Sequence, residues 1–523
     1  MAVTNGDPFV ESSHPGDPSD NSSDATLTIR SSSDSISQPD PAGQEKDASS
    51  PTVQTPQRHG PCHGTTPPSP PESSDTLAPS IRDVTPNGKS SPFEPESLDR
   101  PLARCPSAAD TVTEFPEGGL TAWLVVFGSF CAMLSLFGLI NSAAVFESYF
   151  SQNQLSERSS SEIGWIFSLN LFIVFFVGIQ VGPVFDRYGA RVLVAVGSTL
   201  IVLSLLLLSW CDEYYQIILS YSVLGGFGGA LLNCPAYGAI AHFFNQRRGL
   251  ATGIATTAGG VGGVVFPVVL RSLLPNVGFG WSCRILAFIM MGLSVPANLF
   301  IKTRLGPARD RDGYAKVQSV WPDFSVFRDA RFAFAAAGVF FMEWGLFVPL
   351  TYIVSYAAAH GHVATEGYLL LSYLNAGSVV GRALPGFLAD RLGRFNVIIV
   401  TIFLCFATVL GLWLPAGHSQ PMLIAFTVLF GFASGSNLGL VPVCLGQLCD
   451  HRRYGRLYST AMMVASFGTL SSVPIGGALL DAFSGESAWR NLIIFDGVAY
   501  VVACICYIVA RVLGAGWDPR IKF

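Results

Sequence analysis

The sequence predicts an all-α membrane protein: twelve transmembrane helices in two six-helix, pseudo-symmetric bundles, preceded by a disordered N-terminal tail. Three observations predict it. Half of the 523 residues are hydrophobic and only 13% are charged, against roughly 25% charged in an average soluble domain. Apolar stretches of about 20 residues, long enough to cross a hydrocarbon core of roughly 30 Å at 1.5 Å per residue, recur twelve times from Leu120 onward. The pattern Gly-x-x-x-Asp-Arg-x-Gly occurs at Gly182, Asp186, Arg187 and Gly189 and again at Gly386, Asp390, Arg391 and Gly393, each time between two apolar runs. Such internal repetition marks a duplicated chain.

Residues 1–115 are rich in Ser, Pro, Asp, Thr and Gly and nearly lack aromatic side chains. They bury too little apolar area to offset chain entropy, so this tail is expected to be disordered. It lacks a basic-then-apolar leader, so the first span itself directs insertion. Residues 116–303 hold six spans, at 120–148, 161–183, 190–210, 214–243, 249–273 and 282–301. A polar, basic connection at 304–328 divides the chain, and residues 329–523 hold six more, at 330–357, 367–388, 395–415, 421–447, 457–480 and 489–513, before a short tail. Lys and Arg set the orientation. About sixteen, including Arg187, Arg191, Arg247, Arg248, Arg391, Arg394, Arg452, Arg453 and Arg456, fall on one side, against about four (Arg158, Arg271, Arg284, Arg490) on the other, which puts both termini in the cytosol. The plasma membrane is the expected location, with a vacuolar or other internal membrane as the alternative.

Composition also excludes. A net charge of −5, much of it in the tail, points to no nucleic acid. Most of the eleven Cys lie in apolar runs, and no Cys-x-x-Cys or Cys/His spacing occurs, so neither a metal site nor a structural disulfide is expected. No cofactor motif is read. The run Gly259-Gly260-Val261-Gly262-Gly263 lacks the Lys-Ser/Thr of a phosphate loop and reads as a close-packing helix face.

The duplication extends beyond its first motif. Arg247-Arg248-Gly249 opens the fifth span as Arg452-Arg453-Tyr454-Gly455 precedes the eleventh, and Gly226-Phe227 matches Gly431-Phe432. Gly182 and Gly189 supply close helix approach and a tight turn, and Gly386 and Gly393 do the same in the second half. Asp186 stands just before a helix beginning near Ala190 and is expected to cap it. Arg187, Arg191, Arg391 and Arg394 reach helix carbonyls or acidic headgroups. A charged clasp of this kind breaks when one half rocks against the other; the plainer alternative is a topology determinant only.

The motif pair resembles the signature of the major facilitator superfamily. Pro116-Glu117-Gly118-Gly119 resembles the acidic Gly-Gly lead-in of its monocarboxylate porters. Phe266-Pro267 through Arg271, Leu274-Pro275 through Trp281 with Arg284, and Ala376 through Arg382 are similar to their fungal branch. The resemblance covers residue 115 to the C-terminus. It implies parallel six-helix halves with a substrate site between them, transport without ATP, and substrates from monocarboxylates to vitamins such as riboflavin and fungal secondary metabolites. Proton-coupled lactate porters carry a Lys where this chain has Asn141 and an Asp where it has Ser378. Of that set only Arg382 remains, so simple proton-lactate symport is not the expectation.

An ionisable residue inside a span is a site candidate by default. Arg382 comes first, because an unpaired guanidinium at membrane depth costs about 2.5–3.5 kcal/mol unless a substrate carboxylate, an acid or water meets it; its alternative role is a permanent bridge to helix ends. Glu343 and Asp496 are the acids that pair with Arg382 or carry a proton, or else serve as packed protonated donors. Asn141, Asn233 and Asn375, with Ser378, line a polar cavity or act as interhelical glue. Tyr352 stacks on an aromatic cargo or simply packs. No nucleophile with an acid-base partner assembles, so no enzyme is expected. The expected function is secondary active transport of a small organic solute by alternating access, an organic acid or a fungal secondary metabolite moved by efflux. Protons are the candidate coupling ion and the lipid bilayer the partner. The alternatives are uptake of a monocarboxylate or vitamin such as riboflavin, and a non-transporting nutrient sensor.

Overall fold

In lipid the backbone must satisfy its own hydrogen bonds, as a helix does within one segment, and each apolar run is helical in the computed structural model, which describes residues 115–304, 319–362, 364–518 and 520–523. The tail expected over 1–115 and most of the 304–328 connection lie outside the described residues. The first half of the sequence folds as α1 (Leu120–Asn141), α2 (Ala143–Gln152), α3 (Ser160–Tyr188), α4 (Arg191–Leu208), α5 (Tyr214–Ile217), α6 (Gly225–Phe243) and α7 (Arg248–Phe300). The second half folds as α8 (Ala330–Ala359), α9 (Ala364–Leu392), α10 (Arg394–Thr408), α11 (Gln420–Gln447), α12 (Tyr454–Ala482) and α13 (Glu486–Ala515). A π-helical segment, Ile218–Leu224, joins α5 to α6.

Ten helical stretches among the described residues are long and apolar enough to cross a membrane, and α9, which carries Arg382, Asp390 and Arg391, is not one of them. Two expected boundaries differ. The run 120–148 breaks at Ser142, whose hydroxyl donates to Gly138 O at 2.8 Å, leaving Asn141 at the end of α1. The spans expected at 249–273 and 282–301 run on as the 53 residues of α7, interrupted by the non-helical Gly278 (φ 76°, ψ 172°). At 1.5 Å per residue such a rod is about 80 Å, far more than one bilayer core. A left-handed φ is freely open to glycine alone, so the connection contracts to one residue.

Caps fix where helices begin. Ser159 and Glu162 form a reciprocal capping box at α3. Asp329 accepts from Arg331 N at 3.0 Å at the start of α8, and the Arg331 guanidinium at 2.7 Å holds its carboxyl below the usual range. Between helices, α1 packs on α7 and α8 on α13, while α3 with α12 and α7 with α9 join one half of the sequence to the other. Glycines permit the last two approaches: a Cβ at Gly182 would strike Gly455 O and Ser459 Oγ, and one at Gly386 would strike Gly249 O.

Candidate functional site

The repeated motif ends α3 and α9, and each copy's acid reaches the other half. Asp186 Oδ1 accepts from Gly455 N and Oδ2 from Arg456 N, both at 2.8 Å, at the start of α12. Asp390 Oδ1 and Oδ2 accept from Gly249 N and Leu250 N, both at 2.9 Å, at the start of α7. The two pairs are counterparts in the repeat, and each lays a carboxylate on the positive end of a helix dipole. This corrects the expected partner of Asp186. The helix after it has Ala190 at its N-cap and no side-chain cap, because Gly189 (φ 82°) turns the chain away and brings α12 within reach instead.

The motif's bases have separate duties. Arg187 lies 5.0 Å over the Tyr188 ring and Arg391 4.2 Å over Phe387, while Arg191 is exposed at the start of α4. Arg394 follows Gly393 (φ 100°), sits 3.9 Å from Asp390 and donates to Asn245 O, across to the first half.

Arg382 is 6% exposed on α9. Its Nε donates to Ser378 Oγ at 3.1 Å, one turn back, and its Nη1 donates to Thr256 O of α7 at 2.6 Å. The Nη1 of the guanidinium presses against Gly259, where a Cβ would collide with it. Asn141 Nδ2 donates to Gly259 O at 2.8 Å, and Asn141 and Asn375 flank Gly263. Arg382, Asn375 and Asn141 therefore converge on one glycine-lined face of α7, while Ser378, bonded to Arg382, packs against Gly435 of α11. A crevice lined by Asn141, Val145, Gly263, Arg271, Leu371 and Ser372 opens beside it.

Glu343 on α8 is buried, its Oε2 has no hydrogen-bond partner among the described residues, and it lies within electrostatic range of Arg382 and Tyr237. Asn233 donates to Tyr458 OH at 3.4 Å, joining α6 to α12, and the Tyr237 and Tyr458 rings are 5.2 Å apart. Asp496 lies within the second half. Neither of its oxygens has a partner among the described residues, and its neighbours are Gly345, Cys405 and Tyr500, the last also within electrostatic range of Glu343. Tyr352 donates to Val473 O at 2.7 Å, committed to α12 of its own half.

Sequence reasoning missed Thr256 and Tyr458. A backbone carbonyl 126 residues from its guanidinium has no sequence signal; the glycine run beginning three residues after Thr256 was the nearest clue. No group of three or more metal-ligating side chains occurs among the described residues.

Residues 125–435 and 386–521 match the family model described as Major Facilitator Superfamily. The chain is 37% identical over 424 residues to the riboflavin transporter MCH5 of Saccharomyces cerevisiae, covering 78% of this chain and 81% of that one. It is 34% identical over 391 residues to the aspyridones efflux protein apdF of Emericella nidulans, covering 74% and 78%. Among solved structures it resembles the transporter FucP, with a TM-score of 0.59 at 17% identity over 74% of this chain and 99% of that one, a likeness of fold.

Proposed function

The chain belongs to the major facilitator superfamily, and from that premise we propose how its geometry moves a solute. It is a secondary membrane transporter and not an enzyme. On our reading it is a monocarboxylate-porter-like member with twelve crossings, α7 supplying two and α9 one, both termini cytosolic and the plasma membrane its site. The halves 116–303 and 329–523 rock against each other around a central site, as in other members of this architecture. The excess of Lys and Arg on the side of Asp186 and Asp390 makes theirs the cytosolic face. With both caps made, that face is shut, and the caps break as it opens.

The cargo is an organic anion, an organic acid or acidic secondary metabolite, moved by efflux. One observation carries this reading: Arg382 is buried where α9 meets α7, and its hydrogen bonds among the described residues go to a neutral hydroxyl and a neutral carbonyl. Neither cancels its charge, so a carboxylate is the partner that completes it. Glu343, in electrostatic range with one oxygen unpartnered, takes up the coupling proton. Asn141, Asn375, Ser378 and Asn233 line the path, while Asp496 and Tyr352 serve packing within the second half.

A second reading, riboflavin uptake, is favoured by the identity to the riboflavin transporter. Riboflavin has no carboxylate, so the two readings part at Arg382. In vesicles holding the purified chain, Arg382→Ala should cut flux of any transported organic acid at least tenfold, roughly the loss of one charge-assisted bond, with Arg382→Lys in between. Undiminished acid flux in Arg382→Ala overturns the anion reading. Riboflavin flux that ignores the substitution supports the second.

A further inference from the structure

Pro116-Glu117-Gly118-Gly119 precedes α1 and has no part in the site described above. Glu117 has φ 49° and is the one non-glycine residue with positive φ among the described residues; Gly118 (φ 156°) and Gly119 (φ 84°) follow it. A glutamate persists in that region only where its surroundings hold it there. Here they do. Glu117 Oε1 accepts from Asn245 N at 2.8 Å and Gln246 N at 2.7 Å, its Oε2 accepts from Arg247 N at 3.1 Å, and its own N–H donates to Phe243 O at 3.3 Å. Three successive backbone donors leading into α7 thus end on one carboxylate from the same half.

Beyond Arg248, Gly249 N and Leu250 N end on Asp390 of the other half. The loop that Glu117 holds is also where the second half touches down. Asn245 O accepts from Arg394, Asn245 Oδ1 lies 3.3 Å from His451 Nε2, and the Phe115 ring is 4.7 Å from that of His451. Glu117 lies within electrostatic range of both Asp390 and Arg394. Asp450 acts on the matching loop before α12, accepting from Arg452 N at 3.3 Å, but it comes from that loop itself.

We propose that Glu117 is a positioning residue of the transport cycle: it presets the loop at 244–247 and the first turn of α7 so that Asp390, Arg394 and His451 close onto a formed surface. Its bonds stay within one half and persist when the halves part, whereas those of Asp390 break. Without Glu117 the loop must be ordered at each closure, and the equilibrium moves toward the open face. The inference rests on reading the Asp186 and Asp390 caps as a gate.

The test needs no substrate. In lipid nanodiscs holding the full chain, alkylation of Cys449, a partly buried thiol on the α11–α12 loop of the clasped face, is followed by mass spectrometry beside Cys211, buried at the opposite end. Glu117→Ala should speed labelling of Cys449 about threefold, in the range expected for losing a charge at a helix N-terminus, while Cys211 is unmoved. Glu117→Asp should recover part of the closure, and Glu117→Gln, which keeps the shape, should fall between. If Asp390→Asn speeds Cys449 and no Glu117 variant does, the proposal is overturned and the gate stands. If neither moves it, the gate reading fails and takes this one with it. Equal acceleration at Cys449 and Cys211 means general loosening and also overturns the positioning role.

Discussion

Gly259 has no room for a methyl group, because the guanidinium of Arg382 occupies that space. Gly259→Ala therefore pushes Arg382 off Thr256 O without touching its charge. The expected result in flux assays is a KM for an acid substrate raised about tenfold, the equivalent of 1.4 kcal/mol, with expression and helical content unchanged; an unchanged KM would mean that the guanidinium holds its cargo from another position. At this scale the sequence was informative about depth and silent about direction. Arg382, Ser378, Asn375 and Asn141 stood out as polar groups in apolar runs, and all but Ser378 do meet one face of α7. Asp496 stood out by the same criterion, yet it points among Gly345, Cys405 and Tyr500. Hydropathy tells how far along a helix a residue lies and nothing of its azimuth toward a neighbour distant in sequence.

The proposed gate lies at helix ends, and the two Asp caps sit on different helices with no shared partner. Removing a cap typically costs about 1 kcal/mol, and separate sites add. Asp186→Ala and Asp390→Ala should thus each shift the closed-to-open ratio about fivefold, and the double variant by roughly their product, read by single-molecule energy transfer between dyes on the clasped ends of α3 and α12. A double variant no worse than either single one would mean that one cap does all the holding. Gly182→Val, which drives a branched side chain into Gly455 O and Ser459 Oγ, should block closure outright while the helices remain. That Asp186 would cap a helix was legible from its place at the end of an apolar run. Which helix was not, since the nearest N-terminus in sequence, at Ala190, is turned away by Gly189.

For the whole molecule, the proposed twelve crossings would put both termini on one face. Epitope tags at the two ends should both resist protease in intact cells and both be cleaved once the membrane is permeabilised; opposite protection would show that α7 or α9 has been misread. The duplication was visible in the sequence because its motifs keep register, and the exchange of caps between the halves was not, because a repeat reveals likeness and not contact. That exchange bears on how the chain is made. The first turn of α7 is synthesised 141 residues before the aspartate that completes Gly249, and Asp186 precedes its own partner by 269. The first half leaves the ribosome with an acid lacking its helix and a helix lacking its acid, so the closed face is a late product of assembly. A truncated or half-inserted chain cannot seal it, and an unsealed face is a mark by which a quality-control system would recognise an unfinished molecule.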